Sequence, residues 1–332
     1  MEVNFDALWI TEDNGTYKKE IKQLSTSQLP IGDLLIKVKY SSVNYKDALS
    51  ASGNKGVTKK FPHVPGVDAA GIVMQSNTSA FAAGDEVIVT GFDLGMNTWG
   101  GFAGYIRIPA DWAIRLPQGL SLQEAMAFGT AGLTAGLSVL EVVDAQIEAT
   151  AGPVVVSGAT GGVGSIAASI LTTLGYQVVA VSGKTEDVFL TDILGVTEIM
   201  GRDEFIDAYD AKPITKPAFA AGIDTVSGRI LSGMLKAAQY GGVVTCCGMV
   251  ASPELQTSIF PFILRGVKLA GIDSVMAPLP VRQKVWQLLA TGWKPHNLQK
   301  IVQEIDLPAL PEVLEVLLHG QARGRHILKH AD

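Results

Sequence analysis

The 332 residues are 47% hydrophobic and 17% charged, which excludes a disordered chain and supplies core material for two domains at roughly 150 residues each. Lys and Arg total 26 against 32 Asp and Glu, a net charge of −6, which argues against a nucleic-acid backbone as the main partner. The two cysteines, Cys246 and Cys247, are adjacent; this excludes a disulfide framework and a four-cysteine zinc site, and points to the reducing cytoplasm.

The first ten residues carry Glu2 and Asp6 and no basic segment before an apolar run, so no signal peptide is expected. Residues 34–40 alternate apolar and charged side chains as a half-buried strand does. Residues 70–74 and 86–90 are similar short runs, with Gly84-Asp85 as a turn between them. Recurrent Gly and Pro in this part predict a β-rich domain with long loops over residues 1–125. Ser121-Leu-Gln-Glu124 has capping-box spacing and marks a helix start.

Residues 125–140 are apolar but too short to span a bilayer, and Gly129, Gly132 and Gly136 interrupt them. Residues 151–183 change period internally: a strand, a glycine turn from Gly158 to Gly164, a helix over 165–174 and a second strand. Strands are expected at 153–159, 176–181, 198–201, 221–226, 242–247 and 267–272, alternating with stretches of helical length. That alternation predicts an α/β fold, a Rossmann doubly wound parallel sheet over residues 126–296. An amphipathic helix follows at 282–289. The tail, a strand at 300–305, a helix at 310–318 and a strand at 326–329, is expected to fold back, so that residues 297–332 complete the first domain.

Gly158-Ala-Thr-Gly161-Gly162-Val-Gly164 follows a valine strand and opens a helix. In the dinucleotide fingerprint G-x-G-x-x-G its slots are Ala159, Gly161 and Gly164. Gly161 lets the backbone approach a pyrophosphate, and Gly164 lets helix pack on strand. An NAD site carries an acid about 20 residues further on. Here Val181-Ser182-Gly183-Lys184 has none. Ser182 and Lys184 suit a 2′-phosphate, with Arg202 as a further guanidinium, so the expected cofactor is NADPH.

Four segments carry a closer likeness: Ser42-Val-Asn44-Tyr45-Lys46-Asp47-Ala48-Leu49, Asn97-Thr-Trp99-Gly100-Gly101, Gly129-Thr-Ala-Gly-Leu-Thr-Ala135 and Pro261-Phe-Ile-Leu-Arg265. They resemble the acrylyl-CoA reductase family, in the zinc-free quinone oxidoreductase branch of the medium-chain dehydrogenase/reductase superfamily. Zinc-dependent members have a Gly-His-Glu segment where this chain has Pro65-Gly-Val-Asp-Ala-Ala-Gly71, and it has no cysteine before Cys246. The resemblance implies a GroES-like β-rich catalytic domain beside the Rossmann domain, substrate bound between them, no metal, and NADPH-dependent reduction of acrylyl-CoA to propionyl-CoA. It implies cofactor contacts from Tyr45, from Thr160, Gly161, Gly162 and Val163 on the pyrophosphate, and from Ser182, Gly183 and Lys184 on the 2′-phosphate. Arg202, Met249, Ile263 and Ser274 are further implied contacts. Gly320 stands where the family has a cofactor-contacting Asn.

Hydride delivered to the β-carbon of an enoyl thioester leaves charge on the thioester oxygen and a proton owed to the α-carbon. Asn44 is a candidate donor to that oxygen, or else a turn residue. Tyr45 is the first candidate proton donor, or else a packing wall for the nicotinamide. Asp47 orients Lys46 or Tyr45, or caps the helix that follows. His63 reads as a loop residue, and His319, His326 and His330 as scattered. Trp99 caps the substrate or anchors its loop. Lys55, Lys59 and Lys60 are cations suited to a coenzyme A phosphate. Two rivals remain: a quinone reductase, and a non-catalytic NADPH-binding sensor or structural protein. By analogy with the family, a homodimer paired through residues 267–272 is expected.

Overall fold

The structure, a computed structural model, describes residues 2–331. The chain forms two compact units. The first holds the chain up to Thr130, Val275–Gln283 and the tail from Val302; the second holds Ala131–Ser274 and Lys284–Ile301.

The first unit opens with an antiparallel hairpin, β1 (Asn4–Asp13) and β2 (Thr16–Ser25). No sequence expectation covers it, although Asn14-Gly15 is a strong hairpin signal. Both turn residues have positive φ, 49° and 80°, as that signal requires. β3 (Leu34–Val43) is the spine of a seven-stranded sheet. Its Leu34, Ile36 and Val38 are buried and Lys37 and Lys39 half-buried, the expected alternation. α1 (Tyr45–Ala51) follows directly. β4 (Asp68–Ser76) pairs antiparallel with β3 and with β5 (Glu86–Thr90), and Gly84 turns between them at φ 96°. β6 (Tyr105–Ile108) takes the first half of the other edge of β3, and β7 (Ala113–Arg115) pairs with β5.

α2 (Leu122–Asp144) starts at the capping box: Glu124 Oε2 accepts the Ser121 N–H at 2.9 Å, and Ser121 Oγ accepts the Glu124 N–H at 3.2 Å. Among the described residues α2 alone is long and apolar enough to cross a membrane, and 83% of that window is buried within the protein. It is two helices joined at Gly129, whose φ of 54° and ψ of −154° are not helical.

In the second unit come β8 (Val154–Ser157), α3 (Gly162–Thr173), β9 (Val178–Ser182), β10 (Glu198–Gly201), α4 (Arg202–Tyr209), β11 (Phe219–Asp224), α5 (Gly228–Ala237), β12 (Ala238–Cys246), α6 (Phe260–Arg265) and β13 (Lys268–Gly271). All six strands are parallel, in the order β10-β9-β8-β11-β12-β13. This is the Rossmann order. α3 begins earlier than expected because Gly161 is its N-cap, which puts Gly162 and Val163 in the first helical turn rather than the loop.

α7 (Leu279–Ala290) and α8 (Leu298–Ile301) lead to β14 (Val302–Ile305), α9 (Leu310–Leu318) and β15 (Arg325–Lys329). β15 pairs with the second half of the β3 edge that β6 starts, and β14 extends the sheet beyond it. The unit boundaries differ from the expected 125/126 and 296/297. Val275–Gln283 packs with the first unit because buried Arg282 donates to the carbonyls of Thr90 (2.9 Å), Ala277 (2.8 Å) and Val275 (2.5 Å) and covers the Phe92 ring. Residues 300–305, expected as one strand, split into the end of α8 and β14.

Candidate active site

In the first unit, β3 runs into the start of α1 and delivers Ser42 and Asn44 to one point. Asn44 is the N-cap of α1 and is buried. Asp47 is not the cap itself. It sits at the third helical position and reaches back, its Oδ2 accepting the Asn44 N–H at 2.8 Å while Oδ1 accepts the Val67 N–H at 2.8 Å. Its hydrogen bonds go to neither Lys46 nor Tyr45. The Asn44 amide is a hub: Nδ2 donates to Asp68 Oδ2 at 2.8 Å, and Oδ1 accepts from Arg325 Nη2 at 3.1 Å. Asp68, which opens β4, also accepts the Ser42 hydroxyl, the Thr130 N–H at 2.7 Å and the Thr130 hydroxyl at 2.5 Å. Arg325, which opens β15, donates further to the carbonyls of Ala127 and Val43.

Two carboxylates and one guanidinium thus lie buried around Asn44, the Arg325 charge feeling both acids through space while its hydrogen bonds go to Asn44 Oδ1 and two carbonyls. Burial first, and then the Asp68 charge, push Asp47 up to about 7 from 3.8. Burial also lowers Arg325, opposed by both acids. Near neutral pH the cluster therefore exchanges a proton. The folded state keeps that proton between about pH 4 and 7 where the unfolded state releases it, so this group's stabilisation falls as pH rises through the window, by roughly 4 kcal/mol at most, and levels off above it. Asp47→Asn should flatten that part of the profile of Tm against pH; an unchanged profile would contradict the assignment.

Asp68, Arg325, Ser42 and Thr130 carry no role in the sequence expectations. Asp68 had one local signal, an acid opening an otherwise apolar strand. Arg325 had none.

The other signals fall to structure. The ring of buried His63 bonds to the Gly95 carbonyl at 3.0 Å. Trp99 stands edge-on to Trp9 at 5.0 Å and so anchors its loop. Lys55 pairs with Glu12 at 2.7 Å, while Lys59 and Lys60 are exposed. Burial raises both thiols, Cys247 to about 12, so neither is a thiolate at neutral pH.

In the second unit the glycine loop is built for close approach. A Cβ on Gly164 would lie 2.3 Å from the Gly158 carbonyl oxygen, and one on Gly158, at φ 58°, 2.3 Å from Thr225 Oγ1. Thr160 precedes the N-cap Gly161, and the N–H groups of Gly162 and Val163 belong to the open first turn of α3. Ser182 ends β9 in register with Gly201, and its oxygen accepts the Lys184 N–H at 2.9 Å. The Arg202 guanidinium lies against Gly183, 3.3 Å from where a Cβ would stand. Ser182, Gly183, Lys184 and Arg202 therefore gather at one place, with no carboxylate among the four. A dinucleotide with an extra phosphate fits this cradle. Ser274, past β13, accepts the Thr134 hydroxyl at 2.7 Å. Met249 and Ile263 are exposed, beyond β12 and on α6, across the sheet from that cradle. Tyr45, at the start of α1 in the first unit, is 44% exposed.

Residues 30–118 match the family described as alcohol dehydrogenase GroES-like domain, and residues 162–291 the family described as zinc-binding dehydrogenase. With the Rossmann sheet and the GroES-like domain, these define an oxidoreductase of the medium-chain dehydrogenase/reductase superfamily. The acrylyl-CoA reductase AcuI of Ruegeria pomeroyi is 40% identical over 326 residues, 98% of each chain. The structure of the yhdH oxidoreductase from Salmonella enterica in complex with NADP is 40% identical, covers 100% of both chains and has a TM-score of 0.94. That of Bacillus subtilis yhfP with NAD bound, a protein whose curated name refers to quinone oxidoreductase, is 41% identical over 98% and 99%, with a TM-score of 0.95. The chain belongs to the acrylyl-CoA reductase family of quinone oxidoreductase-like enzymes.

Among the described residues no three or more His, Cys, Asp or Glu side chains are grouped for a metal.

Proposed function

We propose that the protein reduces the carbon–carbon double bond of a short enoyl-CoA, acrylyl-CoA to propionyl-CoA, with NADPH and without a metal. The observation that carries the reading is the cluster of Asn44, Asp47, Asp68 and Arg325. It provides a positioned amide and a protonatable acid in a dehydrogenase-type catalytic domain. The full-length relative named for this reaction supports the substrate class.

Bound NADPH supplies the hydride. The open N–H groups of Gly162 and Val163, with Thr160 and the close-approaching backbone of Gly161, hold its pyrophosphate. Ser182, Gly183, Lys184 and Arg202 hold its 2′-phosphate, and Met249, Ile263 and Ser274 line the rest. The NAD-bound relative makes the preference worth testing on these residues. Lys184→Ala with Arg202→Ala should raise KM for NADPH about tenfold or more and leave KM for NADH unchanged. Equal changes for both cofactors would contradict a 2′-phosphate site.

Asn44, held by Asp68 and Arg325, offers its amide to the developing thioester oxygen, and Asp68 fixes its orientation. Tyr45, half-exposed at the helix start, gives the proton to the α-carbon. Tyr45→Phe should lower kcat about a hundredfold with little change in KM; full turnover would exclude the proton role. The unpaired outer edge of β13 supports a homodimer formed by sheet pairing, and the reduced adjacent cysteines support a cytoplasmic enzyme.

The direct test is mass-spectrometric detection of propionyl-CoA from acrylyl-CoA, formed one for one with NADPH consumed. A second reading, quinone reduction, rests on the curated name of yhfP, and consumption of NADPH with a quinone alone would favour it. Cofactor binding with no turnover on either would favour the non-catalytic reading.

A further inference from the structure

The strand order reverses between β8 and β11, the point where a parallel sheet of this kind opens its crevice. Three hydrogen bonds tie the two strand ends together there. Ser157 Oγ donates to Asp224 Oδ1 at 2.8 Å and accepts the Thr225 N–H at 2.8 Å, and Thr225 Oγ1 donates to the Ser157 carbonyl at 2.9 Å. The other oxygen of fully buried Asp224 accepts the Ser227 N–H at 2.7 Å. Ser227 is the N-cap of the ten-residue α5, at φ 68° and ψ −162°. Only glycine enters that region without strain. Ser227 is 7% exposed, and its hydroxyl makes no cap hydrogen bond. A serine in a glycine conformation carries backbone strain, and here its hydroxyl makes no cap hydrogen bond that would offset it, which leaves the hydroxyl free for a ligand.

We infer that the Ser227 hydroxyl is a ligand for the nicotinamide-ribose half of the bound dinucleotide, and that Asp224 is the positioning residue that holds it in place. The half follows from strand order. Ser182, Lys184 and Arg202 stand at β9 and β10, on one side of the reversal, and β11 lies on the other. This assignment rests on the cofactor reading above.

The test is calorimetric titration of the full chain with NADP+ and with 2′,5′-ADP, which lacks the nicotinamide half, together with thermal unfolding without ligand. Ser227→Gly should raise Tm by relieving strain, yet weaken NADP+ about fivefold or more and leave 2′,5′-ADP unchanged. Ser227→Ala, which keeps the strain, should weaken NADP+ as much with no rise in Tm. Asp224→Asn should weaken NADP+ and again spare 2′,5′-ADP. A merely structural serine predicts a more stable glycine variant that binds NADP+ as tightly as the unaltered protein, and that result would overturn the assignment. Equal weakening of both ligands would overturn the placement on the nicotinamide half. Failure of the unaltered protein to bind either NADP+ or NAD+ would overturn the cofactor reading along with it.

Discussion

Arg325→Ala is expected to destabilise the protein by about 3–5 kcal/mol in chemical denaturation at neutral pH. The guanidinium is a buried positive charge whose field reaches Asp68 and Asp47, both fully buried. Removing it leaves two carboxylates in a low-dielectric interior with no counter-charge. It also strips the donor from Asn44 Oδ1 and from the Val43 and Ala127 carbonyls. The loss should shrink as pH falls and Asp47 takes up its proton, the reverse of ordinary acid denaturation. Turnover should fall with it, because Asn44 loses the donor that fixes its amide oxygen. Arg325→Lys keeps the charge without the planar fork and should lie between. A loss below about 1 kcal/mol would show that the acids are not held by this charge.

Gly129→Ala should be nearly as damaging, about 3 kcal/mol or more, from strain and broken hydrogen bonds together. Its φ of 54° and ψ of −154° belong to glycine. A Cβ there would lie 2.1 Å from Ser42 Oγ and 2.7 Å from Asp68 Oδ2. Asp68 would have to retreat from Ser42 and Thr130, and Asn44 would lose the orientation that Asp68 gives it. Activity should therefore fall further than stability alone predicts. Gly292→Ala, where no atom lies within 4 Å of the added carbon, is the control and should be close to neutral. Equal behaviour of the two variants would remove the argument that the break in α2 exists to admit Asp68.

That break shows why the sequence is legible in some places and silent in others. Short-range patterns carry the elements. Ser121 and Glu124 cap α2 through their spacing of three, the valines of β8 lie in the middle of the sheet, and residues 310–318 fold as the helix their pattern predicts. The glycine loop and the Ser182–Lys184 turn are equally local, so their backbone geometry could be read. The hairpin at Asn14-Gly15 carried the same kind of signal. The polar cluster is different in kind. Arg325 reaches Asn44 across 281 residues, and Asp68 breaks α2 by accepting from Thr130 across 62. No periodicity encodes such a meeting; only the return of β15 to the edge of β3 creates it. Arg282 likewise draws Val275–Gln283 into the first unit through carbonyls of β5 and of its own segment, where the sequence suggests only an amphipathic helix.

The most direct test of the account is the rate of NADPH oxidation by protein stripped with a chelator and shown to be metal-free by elemental analysis. Acrylyl-CoA, crotonyl-CoA and a benzoquinone would be compared in parallel, each repeated with NADH. The account predicts full activity of the metal-free protein with acrylyl-CoA and NADPH, and little with NADH. Activity that disappears with the metal and returns with zinc, or turnover of the quinone alone, would contradict it.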